Sequence, residues 1–265
     1  MAMIVVHLRR MASLILLLAS ASSFAWSQAQ ELPHPWIADA PGEIARLIGL
    51  GNVRIEVDDD RIKGSNKVAL TVFQLKSTYK IRFRYEWISL GNQTEVWKAR
   101  IVATVLEPRF SLEHRVIISS TFRPTDPWKT DLMKHEFDHV SISTDPRLFK
   151  IMERVFKRKR VLMEEWLQPE KPTDGEIRSR LEQVLAEEVN SCEALIQRQY
   201  DWLDQQTMNG RQSLESRMAF FHELYSFPGL QRCDYAHRDA VKEYLEKKVL
   251  PESIKEFERH YLFLR

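Results

Sequence analysis

One run of five residues, His135-Glu136-Phe137-Asp138-His139, constrains this chain more than any other feature. The stretch from Lys129 to Ser143 reads as a helix, and residues four apart on a helix share a face, so both imidazoles can hold one zinc ion. Glu136 can then serve as general base toward a water that the metal activates. Catalytic zinc takes three protein ligands and keeps a fourth position open, so a third ligand must come from elsewhere in the chain.

Two carboxylates compete for that role. In the predicted helix from Asp174 to about Gln206, the apolar residues from Ile177 through Leu185, Cys192 and Ile196 to Leu203 form one stripe at helical period. Glu188 falls inside it. A carboxylate facing the core needs a partner, which a zinc ion on two histidines would supply; an arginine or lysine across the helices would serve equally. Asp145 lies six residues after His139. Thr144-Asp145-Pro146 also reads as a helix cap followed by proline at the first helical position.

With Asp145 included, the stretch looks like the metzincin zinc motif with aspartate in the last ligand place, and Met208 in a turn would match that clan's methionine. Ile142 stands where metzincins have glycine, at a backbone turn that β-branched residues resist. A wider resemblance covers residues 52–212. Trp128 after a β-rich part, His135 to His139 on a helix, and Asp204-Gln205-Gln206-Thr207-Met208-Asn209-Gly210 closing a long helix resemble a family of secreted bacterial proteins. That family is assigned as zinc-dependent proteases and still classed as a domain of unknown function. It carries histidine where this chain has Asn209. The resemblance implies a zincin-like fold, a Zn2+ ion and peptide-bond hydrolysis; a role of that histidine at the metal would have no counterpart here.

The N-terminus reads as a targeting segment. Arg9 and Arg10 precede an apolar run from Met11 to Trp26 and a small-x-small site at Ser27-Gln28-Ala29, so residues 1–29 are expected to be a signal peptide. The apolar run falls short of the roughly 20 residues that span a bilayer. A secreted or periplasmic protein without membrane attachment after cleavage is expected. Those residues hold two arginines and no acid, so the formal net charge of +2 falls to zero without them. Such a balance suggests no nucleic-acid or membrane-surface partner. The basic run Lys157-Arg158-Lys159-Arg160 is expected on a solvated helix face. Cys192 and Cys233, the chain's two cysteines, are expected to form a disulfide in an oxidising compartment.

Further along, proline-rich residues 31–42 lead into a short helix near Glu43 to Leu50. Five β-rich segments follow: Val53 to Val57, Val68 to Gln74, Tyr79 to Ile88, Val96 to Leu106 and Arg115 to Phe122. Their short spacings favour antiparallel neighbours. From Pro127 onward the periodicity is helical: the His-Glu-x-x-His helix, Pro146 to Leu167, Asp174 to about Gln206, then shorter helices. Strands first and helices afterwards give an α+β class, an antiparallel sheet half (30–127) and a helical half (128–265) in one compact domain.

The expected function is that of an exported zinc metallopeptidase acting on a peptide or protein substrate: His135, His139 and Glu188 on zinc, Glu136 as base. The substrate would add as a strand along Arg115 to Phe122. Tyr200 and His222 are possible oxyanion donors. The alternative is a periplasmic binding or scaffold protein of the same fold without turnover.

Overall fold

A computed structural model describes residues 39–63, 67–88, 97–166 and 170–248. Residues 1–29, expected to be a signal peptide, lie outside them. Among the described residues, no helix is long and apolar enough to cross a membrane.

The elements run α1 (Gly42–Gly51), β1 (Val53–Val57), α2 (Asp59–Ile62), β2 (Ala69–Ile88), β3 (Trp97–Ile118), α3 (Asp131–Ser143), α4 (Pro146–Lys157), β4 (Arg160–Trp166), α5 (Asp174–Thr207), α6 (Arg217–Leu224), α7 (Phe227–Arg232) and α8 (Arg238–Lys248). This is the expected α+β class, with a different sheet. Four of the five β-rich segments fuse into two long strands, β2 and β3, which pair antiparallel along nearly their whole length. Glu107-Pro108 does not end a strand. The register shifts opposite it, between Thr78 and Lys80, and Glu107 takes a left-handed φ of 50°, so a bulge absorbs the irregularity and pairing resumes.

The sheet is also mixed. β1 pairs parallel to β3, Val53 opposite His114, in a strand order of β1-β3-β2. The last part of β3 is therefore interior, held between β1 and β2, which removes Arg115 to Ile118 as an edge for a substrate strand. Among the described residues, no strand pairs with the outer edge of β2.

The fourth strand comes from a segment expected to be helical. Helix α4 ends at Lys157 because buried Arg160 folds back on it: its Nη1 donates to the Phe156 carbonyl at 2.7 Å and its Nη2 to the Val155 carbonyl at 2.9 Å. The guanidinium thus satisfies carbonyls that a helix end leaves without partners. Residues 160–166 then pair with the free side of β3, from Arg160 opposite Ala103 to Trp166 opposite Trp97. The basic run is not a solvated helix face. Phe227-Pro228-Gly229, a turn signal in the sequence, is the first turn of α7, with Ser226 capping it and proline near its start.

Helix α3 occupies the centre of the fold. Thr130 caps it, accepting from the Met133 amide, and every residue from His135 to Ser143 is buried. Met133, Phe137 and Val140 pack with Ile44, Leu47, Val53, Ile55, Ala69, Val116 and Ile118 between α1 and the sheet. Ile142 belongs to a second core, built largely by α4, α5 and the C-terminal helices.

His114 ties these layers together. Its Nδ1 lies 2.6 Å from the Gly51 carbonyl and its Nε2 2.6 Å from Ser143 Oγ, so one imidazole of β3 joins the ends of α1 and α3. The approach is close enough that a Cβ on Gly51 would sit 2.9 Å from both His114 Nδ1 and Val140 Cγ1. Burial lowers the His114 pKa from 6.5 to about 4 despite the Gly51 bond, and His139 adds to the lowering. The stabilisation from a folded-state pKa held this low is complete above the unfolded value and fades as pH falls toward the folded one. Between those values the unfolded chain takes up a proton on His114 that the folded chain excludes, which is expected to remove about 3 kcal/mol of stability as pH falls. Urea-unfolding midpoints measured across that window should fall more steeply for the wild type than for His114→Gln; parallel curves would refute the assignment.

Candidate metal centre

Helix periodicity places His135 and His139 one turn apart on α3, and the structure keeps both rings buried, at a centroid separation of 4.6 Å. Their Nε2 atoms lie 3.2 Å apart. The carboxylate that meets them is Asp204, in the last turn of α5: Oδ1 lies 3.0 Å from each Nε2. His135, His139 and Asp204 are the group among the described residues whose ligand atoms are close enough to share one metal ion.

The donor set fits zinc. Tetrahedral bonds of about 2.0–2.1 Å to nitrogen and oxygen separate neighbouring ligand atoms by roughly 3.3–3.4 Å, so the spacings of 3.0 to 3.2 Å need to open only slightly. Two imidazoles and one carboxylate, leaving a position free, match catalytic rather than structural zinc sites. The second carboxylate oxygen of Asp204 is engaged elsewhere, accepting from Lys67 Nζ at 3.2 Å. Burial pushes the Asp204 pKa upward, but the two imidazoles and the Lys67 ammonium more than offset it, so the carboxyl stays well below the usual carboxylate range. A deprotonated, prepositioned carboxylate is the form that binds a metal.

Glu136 is buried beside the histidines, with Oε2 accepting from Thr71 Oγ1 of β2 at 2.6 Å. Among the described residues its other oxygen has no hydrogen bond. Tyr200 packs its ring on His139, centroids 4.4 Å apart, and donates its hydroxyl to Ser143 Oγ at 3.0 Å. That commits the hydroxyl to the core. Exposed His222 meets the interior through its backbone carbonyl, which accepts from Arg147.

Glu188 is not the third ligand of this group. It lies sixteen residues before Asp204 on α5, about 24 Å along the helix axis. Its inward-facing carboxylate has protein partners: Arg158 Nη2 at 3.0 Å, Arg160 Nη2 at 3.6 Å, and His237. Asp145 also lies outside the group. It caps α4, accepting from the Arg147 amide at 2.7 Å, and pairs with the Arg147 guanidinium at 2.6 Å. Met208 caps α5 and is 55 % exposed, unlike a methionine placed beneath a metal. The expected disulfide is absent: Cys192 and Cys233 are buried free thiols, and Cys192 Sγ sits 3.7 Å from the Tyr235 hydroxyl.

The signal for Asp204 was present in the sequence. It opens the Asp-x-x-Thr segment at the end of the long helix, one residue beyond Leu203, the last member of the apolar stripe. After it, Met208, Asn209 and Gly210 take left-handed φ values of 50°, 57° and 75° and turn the chain back over His135. A Cβ on Gly210 would sit 2.9 Å from His135 Cγ and Cδ2.

No family model, no curated protein and no solved structure matches this chain.

Gly210→Ala should displace the His135 ring and strain the turn, weakening zinc binding about tenfold or more while leaving far-ultraviolet circular dichroism unchanged; unchanged zinc affinity would contradict the close approach. Glu188→Ala should do the opposite. It removes a carboxylate shared by two arginines and a histidine, so unfolding stability should drop by about 3 kcal/mol, with zinc content intact by atomic absorption.

Proposed function

We propose that this chain is an exported, zinc-dependent peptidase of zincin-like architecture. The observation that carries this reading is the convergence of His135 and His139 with Asp204, with Glu136 directly after His135 on the same helix, a position that suits a general base. When bound, zinc supplies Lewis-acid polarisation of a carbonyl and lowers the pKa of a water molecule. The ligands are His135, His139 and Asp204, with Lys67 holding the second oxygen of Asp204. Glu136 takes the proton from the attacking water and passes it to the leaving amine. The Thr71 hydroxyl fixes one oxygen of that carboxylate and leaves the other for the proton.

The substrate is an extended peptide. The outer edge of β2 is the accepting strand, because Thr71 on β2 already touches Glu136, and a peptide paired there gains backbone hydrogen bonds without sequence preference. Export rests on the leader-like residues 1–29, which lie outside the described residues.

Purified protein lacking residues 1–29 should contain stoichiometric zinc, and both His135→Ala and Asp204→Ala should lose it. Glu136→Gln should keep the metal and lose hydrolysis of unfolded casein by at least about 100-fold, the scale of a general base. Full zinc with no wild-type hydrolysis across a broad peptide library would favour the scaffold reading. Equal zinc in wild type and His135→Ala would overturn the site.

A further inference from the structure

The two histidines of the centre are held differently, and the difference traces to Thr207. Its hydroxyl lies 2.8 Å from the Leu203 carbonyl, 3.1 Å from His135 Nδ1, and 3.2 Å from the Gly210 amide nitrogen, which donates to it. A hydroxyl has one proton and two acceptor sites. The Leu203 carbonyl can only accept, and its separation is typical of an O–H donor, whereas the distance to His135 Nδ1 suits an N–H donor. With its proton on Leu203 and one lone pair on Gly210, Thr207 has one lone pair left for His135.

Resting on the metal-centre reading, we infer that Thr207 is a positioning residue that holds His135 in its Nδ1–H tautomer and so keeps the Nε2 lone pair turned toward the metal. The other ring supports this from its own side. His139 Nδ1 is buried with no hydrogen-bond partner, while His139 Nε2 lies 3.0 Å from Asp204 Oδ1. In the metal-free protein, the proton on His139 therefore belongs on Nε2, where Asp204 accepts it. A second Nε2 proton from His135, at a ring separation of 3.2 Å between the two nitrogens, would crowd the same oxygen. The centre is thus half prepared: His135 is preset, and His139 must move its proton to Nδ1 when the metal enters.

The arrangement also explains the turn that follows α5. The Gly210 amide reaches Thr207 only because three consecutive residues bend the chain through left-handed conformations. Engagement of both the Gly210 amide and the Leu203 carbonyl is what leaves the hydroxyl as a pure acceptor toward His135. Supports of this kind are worth roughly 10–100-fold in metal affinity.

The test uses the full mature chain with 15N-labelled histidine. Long-range 1H–15N correlation spectra of metal-free protein at mildly alkaline pH should report Nδ1–H for His135 and Nε2–H for His139, with only His139 changing tautomer on adding zinc. Zinc affinity, by chelator competition, should fall about 10-fold or more in Thr207→Val and stay within about threefold of wild type in Thr207→Ser. Nε2–H at His135 in the wild type, or wild-type affinity in Thr207→Val, would overturn the inference. Because the wild-type spectrum needs neither a variant nor a metal, it decides the tautomer even if Thr207→Val fails to fold. Absence of zinc binding by the wild type would count against the metal centre, with the tautomer assignment judged separately.

Discussion

Three electron-rich atoms brought to within 3.2 Å of one another in a mostly buried site form an arrangement that repels itself unless a cation or a proton lies among them. The surrounding structure can be read as the means of holding that arrangement. Helix α3 supplies two of the atoms, the far end of α5 supplies the third, and Lys67, two residues before β2, supplies a compensating charge at the rim. Hydrophobic packing provides the rigidity, since α3 is enclosed by α1, the sheet and α5, so no one contact has to bear the cost alone.

Polar groups inside that enclosure are paired in chains. Tyr200 donates to Ser143, which faces His114, which reaches Gly51, so a single hydrogen-bonded path runs from the ring packed on His139 to the end of α1. His114 stays neutral through burial, and the path therefore needs no counter-ion. A second buried cluster, Glu188 with Arg158, Arg160 and His237, serves a different end. It fastens the middle of α5 to the connection between α4 and β4 and to the residue directly before α8. Buried ion pairs of this kind add little net energy compared with apolar packing, but removing one partner leaves an uncompensated charge. The two clusters divide the labour of one helix: its middle is anchored structurally, and its end carries the candidate chemistry.

The His-Glu-x-x-His helix and the long helix from Asp174 were legible in the sequence because helical period is local, and capping chemistry agrees with both. Thr130 and Thr173 accept from the amides three residues on, and Thr173 with Glu176 completes a reciprocal cap. The inward direction of Glu188 was legible from its place in the apolar stripe. Its partner was not, since a buried carboxylate is satisfied equally by a metal or by arginines, and only the tertiary structure brings Arg158, Arg160 and His237 to it. One strand, β4, was likewise hidden, and β3 was legible only as two separate pieces. The bulge at Glu107 lets β3 continue through a proline signal, and β4 exists because Arg160 caps α4 from beyond its end.

The sequence by itself determined that two imidazoles would share one face of a helix with a glutamate between them, because helical period is a local property of the backbone. Which carboxylate meets those imidazoles was decided by tertiary structure alone. Asp204 and Glu188 lie on the same helix and both face inward in part, and their roles differ only through what the helix passes along its length. The end of α5 crosses α3 at His135 and His139, whereas its middle crosses the arginines of the connection into β4. Such crossings follow from how helices and sheet pack around a common core, a property of the whole chain that no local stretch records.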